Sequence, residues 1–102
     1  MEQYKIVISK QAKNDIDELY NVIVYDFASP ITAFKYIKGL YKQINSLKRS
    51  AESYVIQTRP FYRQYGFNVR IITYKKMTVI YLVSNRCVYI RAVISSATIK
   101  GL

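Results

Sequence analysis

Arginines at positions 59, 63, 70 and 91, interleaved with Tyr62, Tyr65 and Tyr74, are the side chains of this 102-residue sequence best suited to chemistry. A guanidinium is a planar fork that donates two parallel hydrogen bonds to a phosphate. A tyrosine ring beside it can stack on a nucleic-acid base, an interaction of roughly 1–3 kcal/mol. If Arg59, Arg63, Arg70 and Arg91 all lie on one side of a sheet, they form a surface for a polyanion. Proton transfer is less well served. Glu52 is the one carboxylate near this region in sequence and is the candidate base, while Arg70 and Arg91 are the candidates for stabilising a developing negative charge. There is no histidine, and Cys87 is the single cysteine. Ser-His-Asp and Cys-His nucleophiles are thereby excluded, as is a structural zinc site of the usual Cys/His kind. Cys87, with no histidine to activate it, reads as a small strand residue. The three glycines, Gly39, Gly66 and Gly101, are too scattered for a phosphate-cradling loop, so neither a nucleotide cofactor nor a metal is expected.

The charge is as informative as the residues that carry it. Sixteen basic and six acidic side chains give +10. Residues 1–52 hold eight basic and all six acidic side chains, a net of +2; residues 53–102 hold eight basic and no acidic ones, a net of +8. Such a field attracts nucleic acid, an anionic membrane or an acidic protein segment. About half the residues are hydrophobic and eleven are tyrosine, enough apolar material for one core and too much for a disordered chain. The length suits one domain, residues 1–102. No apolar run approaches the ~20 residues of a membrane span. The start, Met1-Glu2-Gln3-Tyr4-Lys5, lacks the basic and apolar stretches of a secretory signal. A cytoplasmic protein is expected.

The elements that must position these residues follow from periodicity. Tyr4, Ile6 and Ile8 alternate with Lys5, Val7 and Ser9 as a short strand. Ser9 stands at a helix N-cap, followed by the apolar stripe Ala12, Ile16, Leu19, Ile23 and Phe27. Asp15, Asp17 and Glu18 suit the positive end of that helix. Ser29-Pro30 caps and opens a second helix with Ala33, Ile37, Leu40, Ile44 and Leu47 on its apolar face. Residues 50–65 have no clean period and read as a loop. From Phe67 to Tyr74 the pattern alternates, Lys75-Lys76 turns, and Met77 to Val83 is apolar on both faces, as a central strand should be. Ser84-Asn85-Arg86 turns again. The last strand, Cys87 to Ile94, alternates Cys87/Tyr89/Arg91/Val93 with Val88/Ile90/Ala92/Ile94, and the tail from Ser95 to Leu102 is expected to be short or mobile. The order is β-α-α-β-β-β: an α+β domain with a helix hairpin on one face of a mostly antiparallel four-stranded sheet.

With Tyr4-Lys5-Ile6-Val7-Ile8 ahead of Ala12 and Asp15-Ile16, Ala33 through Leu47, Gly66-Phe67-Asn68-Val69-Arg70, the Met77 to Val83 run and Val88-Tyr89-Ile90-Arg91-Ala92-Val93, the chain resembles the RelE/ParE superfamily of bacterial toxins. The resemblance covers residues 4 to 95 and implies a growth-inhibiting toxin neutralised by an antitoxin whose acidic segment wraps around it. Members of the RelE type cut messenger RNA on the ribosome without a metal; members of the ParE type poison DNA gyrase. Arg70 matches an arginine of the second strand in the RelE pattern. The arginine before the apolar run of the third strand is replaced by Thr78, and the reactive positions after the last strand fall on Ser95-Ser96. The other reading of the composition is a non-toxic basic module that binds nucleic acid through its sheet.

Overall fold

Ser9 ends one element and starts the next. Its hydroxyl accepts the Ala12 amide at 3.1 Å, capping the first turn of a helix, and donates to the Arg91 carbonyl at 3.2 Å. Ser29 repeats the capping one helix later, accepting the Thr32 amide at 3.2 Å with Pro30 as the first helical residue. The computed structural model describes residues 3–100 and runs β1 (Lys5–Ile8), α1 (Lys10–Phe27), α2 (Pro30–Asn45), α3 (Leu47–Ser50), β2 (Arg70–Tyr74), β3 (Met77–Ser84), β4 (Cys87–Ser95) and α4 (Ser96–Lys100). The sheet order is β1-β4-β3-β2, with β1 parallel to β4 and the other pairs antiparallel. This is the α+β arrangement that the sequence pattern calls for.

The hairpin of α1 and α2 covers one face of the sheet. Ala12, Ile16, Leu40, Ile44 and Leu47 pack there against Ile72, Val79, Tyr81, Val88, Ile90 and Val93. Tyr81 is fully buried, and its hydroxyl donates to the Ala51 carbonyl at 2.6 Å. Burial raises that hydroxyl to about 12. The opposite face carries a second, smaller core of Tyr62, Val69, Ile80, Ala92 and Ile99. Two segments that sequence periodicity leaves irregular build it. Pro60–Tyr65 forms a tight 3₁₀ turn that seats Tyr62, and the tail is not loose, because α4 buries Ile99. A further 3₁₀ turn, Ala51–Ser53, continues from α3. Met1, Glu2, Gly101 and Leu102 lie outside the described residues.

The strict alternation expected along the last strand is broken at Arg91. Tyr81 pairs with Ile90 while Ile80 pairs with Ala92, so Arg91 is an extra residue in a β-bulge. Beyond it the faces exchange: Val93 joins Val88 and Ile90 in the hairpin core, while Ala92 and Ile94 pack in the second core. Phe27 also departs from expectation. It follows Ile23 on the α1 stripe, yet it is 65% exposed, because α1 ends there with Ala28 in the left-handed region at φ 49° and none of the described residues covers it at the hairpin tip.

Asp15 does more than suit a helix end, and it lies beyond the first turn of α1. β1 stops at Ile8, opposite Ile90, so the outer edge of β4 runs on without a partner strand. The Asp15 carboxylate accepts the Val93 amide at 3.0 Å and closes that edge. Burial pushes the Asp15 carboxyl above its ordinary value, outweighing the Val93 amide, which pulls it down. Asp15→Asn keeps an acceptor without the charge and should leave the neutral-pH thermal midpoint unchanged or higher. Asp15→Ala should lose about 1–3 kcal/mol as the Val93 amide goes unpaired. The sign with pH is fixed by the raised value: the stability this carboxyl contributes is complete below its unfolded value of 3.8 and is lost as pH rises through the folded one. Thermal melts should therefore show the midpoint of wild type rising relative to that of Asp15→Asn as the solution is acidified; a wild-type midpoint that falls relative to the variant's would overturn the assignment.

Candidate functional site

The arginines and tyrosines singled out in the sequence divide between the two faces of the sheet. Arg70 lies on the hairpin face, in register with Tyr81. Its guanidinium donates to the main-chain carbonyls of Glu52 at 3.0 Å and Tyr54 at 2.6 Å, fastening the 3₁₀ turn to the edge strand. Glu52 itself accepts the Tyr4 hydroxyl, and that bond, with partial burial, raises the tyrosine above its ordinary value. Tyr4 and Glu52 line an open cleft of about 480 Å³ together with Gln3, Val83, Ser84, Asn85 and Arg86. Tyr74 is turned inward to the hairpin. Its ring meets Tyr36 edge-on at 5.2 Å, the Lys75 ammonium lies 5.5 Å from its centre, and a methyl group at Gly39 would overlap its hydroxyl. Only a glycine lets α2 approach that ring.

Arg59, Arg63 and Arg91 belong to the other side. Arg91 is exposed at the bulge and donates from Nε to the Tyr65 carbonyl at 3.1 Å. Tyr65 is half-buried on the second core, which raises its hydroxyl above the ordinary value, and Tyr62 is a core residue at 3% exposure. Arg59 and Arg63 flank and ride on the same 3₁₀ turn, both exposed. The four arginines therefore do not share one side: strand parity puts Arg70 on the hairpin face, while Arg91 follows Ile90 onto the opposite one. Beside Arg63 the structure adds a residue with no signal in the charge pattern. Phe67 is 88% exposed at a turn in which Gly66 has φ 124° and Asn68 φ 58°. With Ile56, Gln57, Thr58, Tyr62 and Arg63 it lines a cleft of about 220 Å³. The cue available in the sequence was its place between the two residue types that best tolerate positive φ.

Thr78 and Ser96, far apart in sequence, come together on this second face. Their hydroxyl oxygens are 2.8 Å apart and Thr78 is 2% exposed, while the Ser96 amide donates to the Lys76 carbonyl at 2.9 Å. Among the described residues neither hydroxyl bonds an ionisable side chain. Two neutral hydroxyls bonded to each other fasten α4 to β3; they do not exchange protons at neutral pH as a general acid and base must. No group of three or more metal-ligating His, Cys, Asp or Glu side chains occurs among the described residues, and no described helix is long and apolar enough to cross a membrane.

A helix hairpin on one face of a β1-β4-β3-β2 sheet, with a short C-terminal helix on the other, is the fold of toxins from bacterial toxin–antitoxin modules. The chain is similar to a solved structure of the chromosomal ParDE system from P. aeruginosa, with TM-score 0.75 and 18% identity over 91% of this chain and 96% of that one. It is also similar to a structure of the toxin–antitoxin complex RelBE2 from Mycobacterium tuberculosis, with TM-score 0.65 and 13% identity over 93% of each chain. No curated protein matches the chain at a significant level. The model of the ParE toxin of the type II toxin–antitoxin system parDE matches residues 6–99, and the chain belongs to that family. It is a type II toxin; the plain nucleic-acid-binding module is not favoured.

The two candidate arginines should separate in stability measurements. Arg70→Ala removes the donor to two carbonyls and should lower stability by about 1–3 kcal/mol. Arg91→Ala, at an exposed position, should change it by about 0.5 kcal/mol or less. Denaturant melts of both variants test this, and equal losses would contradict the division of roles.

Proposed function

We propose that this toxin arrests growth through DNA gyrase rather than by cutting messages on the ribosome, and that an antitoxin with an acidic segment holds it inactive in the cytoplasm. The observation that carries the choice of target is the Thr78–Ser96 pair. The resemblance to RelE-type nucleases places reactive side chains at these positions, and here two neutral hydroxyls satisfy each other. Cleavage by a neighbouring 2′-hydroxyl needs a base, an acid and a cation around one phosphate, and Arg70, the arginine matching that pattern, is committed to main-chain carbonyls on the other face. The antitoxin reading is supported by family membership and by the +8 charge of residues 53–102. On this reading the exposed Arg59, Arg63, Arg91 and Phe67, with the half-buried Tyr65 beside them, are the side chains that meet an acidic partner or the target.

Induced expression in a bacterial host tests the choice. Growth should stop while messages stay intact by primer extension, and plasmid topology should change in a way that a resistant gyrase prevents. A double variant, Thr78→Val with Ser96→Ala, should still arrest growth at unchanged dose. New message cuts at ribosome-positioned sites, lost in that double variant, would make the chain a nuclease instead. Affinity for the antitoxin should fall as salt rises, since exposed charges are screened.

A further inference from the structure

The outer side of the helix hairpin has no part in the reading above, and it carries uncovered apolar side chains at its tip. Tyr25 is 87% exposed on α1; Ile31 is 69% and Phe34 63% on α2. All three lie within five residues of Ser29. Below them, among the exposed residues of each helix, α1 turns Asn14, Glu18, Asn21 and Tyr25 away from the sheet, with Asp17 beside Glu18 and Lys10 at the far end, and α2 turns Ile31, Lys35, Lys38 and Lys42 the same way. The middle of the α1 row is acidic and the α2 row is basic, and each ends in an apolar residue at the same tip.

We propose that this face is an interface between two copies of the chain. A twofold axis laid along the hairpin turns one copy over onto the other, so that α1 of each lies antiparallel across α2 of its partner while both tips stay at the same end. The spacings fit that operation. Asp17 and Glu18 lie twelve and eleven residues before Ser29, and Lys38 and Lys42 lie nine and thirteen after it, so at the 1.5 Å helical rise both pairs sit about 17 Å from the turn. Tyr25 lies four residues before Ser29, Ile31 and Phe34 two and five after, so apolar meets apolar. An isologous contact requires a surface complementary to itself, and the hairpin provides both signs of charge around an apolar end. The +8 half of the chain is repelled by its own copy and suits a different, acidic partner.

Sedimentation of the full chain over a wide concentration range tests this. Wild type should reach twice the mass of one chain, and Phe34→Lys should stay at the single mass with an unchanged thermal midpoint, because exposed substitutions barely touch the fold. Charge exchange supplies the stricter arm. A Lys38→Glu/Lys42→Glu chain and an Asp17→Lys/Glu18→Lys chain should each be monomeric, and an equimolar mixture of the two should restore the double mass, since each then offers the other opposite charges at both contacts. Wild type that remains monomeric at all concentrations, or a mixture that stays monomeric, would overturn the interface. If the chain is monomeric alone and Phe34→Lys abolishes capture of its antitoxin, the surface belongs to the antitoxin and the proposal fails.

Discussion

The parallel pairing of β1 with β4 is the constraint on which the remaining structure rests. Lys5 pairs with Cys87 and Ile8 with Ile90, so everything between them must leave one strand and return beside it. The hairpin of α1 and α2 provides the cover that makes this possible, and the antiparallel β2 and β3 fill the other side of β4. β4, flanked on both sides, is where the two cores meet. Because β1 is shorter than β4, the amide of Val93 that no strand reaches has to be met by something else, and α1 meets it with Asp15. The Ser9 cap and the Asp15 contact are thus two parts of one solution to a strand that ends early.

The faces of the sheet have different physical characters. The hairpin face is a continuous core whose polar groups are consumed internally, Tyr81 by Ala51 and Arg70 by Glu52 and Tyr54. The other face is covered by one 3₁₀ turn and one short helix, which leaves Arg59, Arg63, Arg91 and Phe67 in solvent around a small core. Exposed charged and aromatic side chains carried on turns above a packed layer are where binding residues are disproportionately found. A residue's position in the chain is a poor guide to which face it serves: Arg70 and Phe67 are three residues apart and do opposite things.

Sequence legibility followed the length and regularity of each element. α1 and α2 were readable because their apolar stripes run through four turns and each begins with a serine cap. β3 was readable because Val79, Ile80 and Tyr81 leave neither face polar. The turns at residues 51–53 and 60–65 were not, since three to six residues of 3₁₀ helix have no period that alternation or a 3.6 repeat can detect. The tail helix was hidden for the same reason. At the site, Arg91 and Glu52 could be named as candidates from residue type, but the bulge that exchanges the faces of the residues after Arg91 depends on a register set between two strands. The meeting of Thr78 with Ser96 was likewise a product of that register. Phe27 shows the opposite failure: its spacing was right for burial, and the tip of the hairpin had nothing with which to bury it.

The place of β4 in the chain also orders events during synthesis. Translation delivers β1 and the hairpin first, and the strand that must lie between β1 and β3 comes after every other strand. Until Val88, Ile90 and Val93 arrive, the hairpin core lacks its floor and β1 has no neighbour to pair with. A nascent copy therefore cannot present the finished surface while most of it is still being made. The folded sheet exists only once the strand that closes it has left the ribosome.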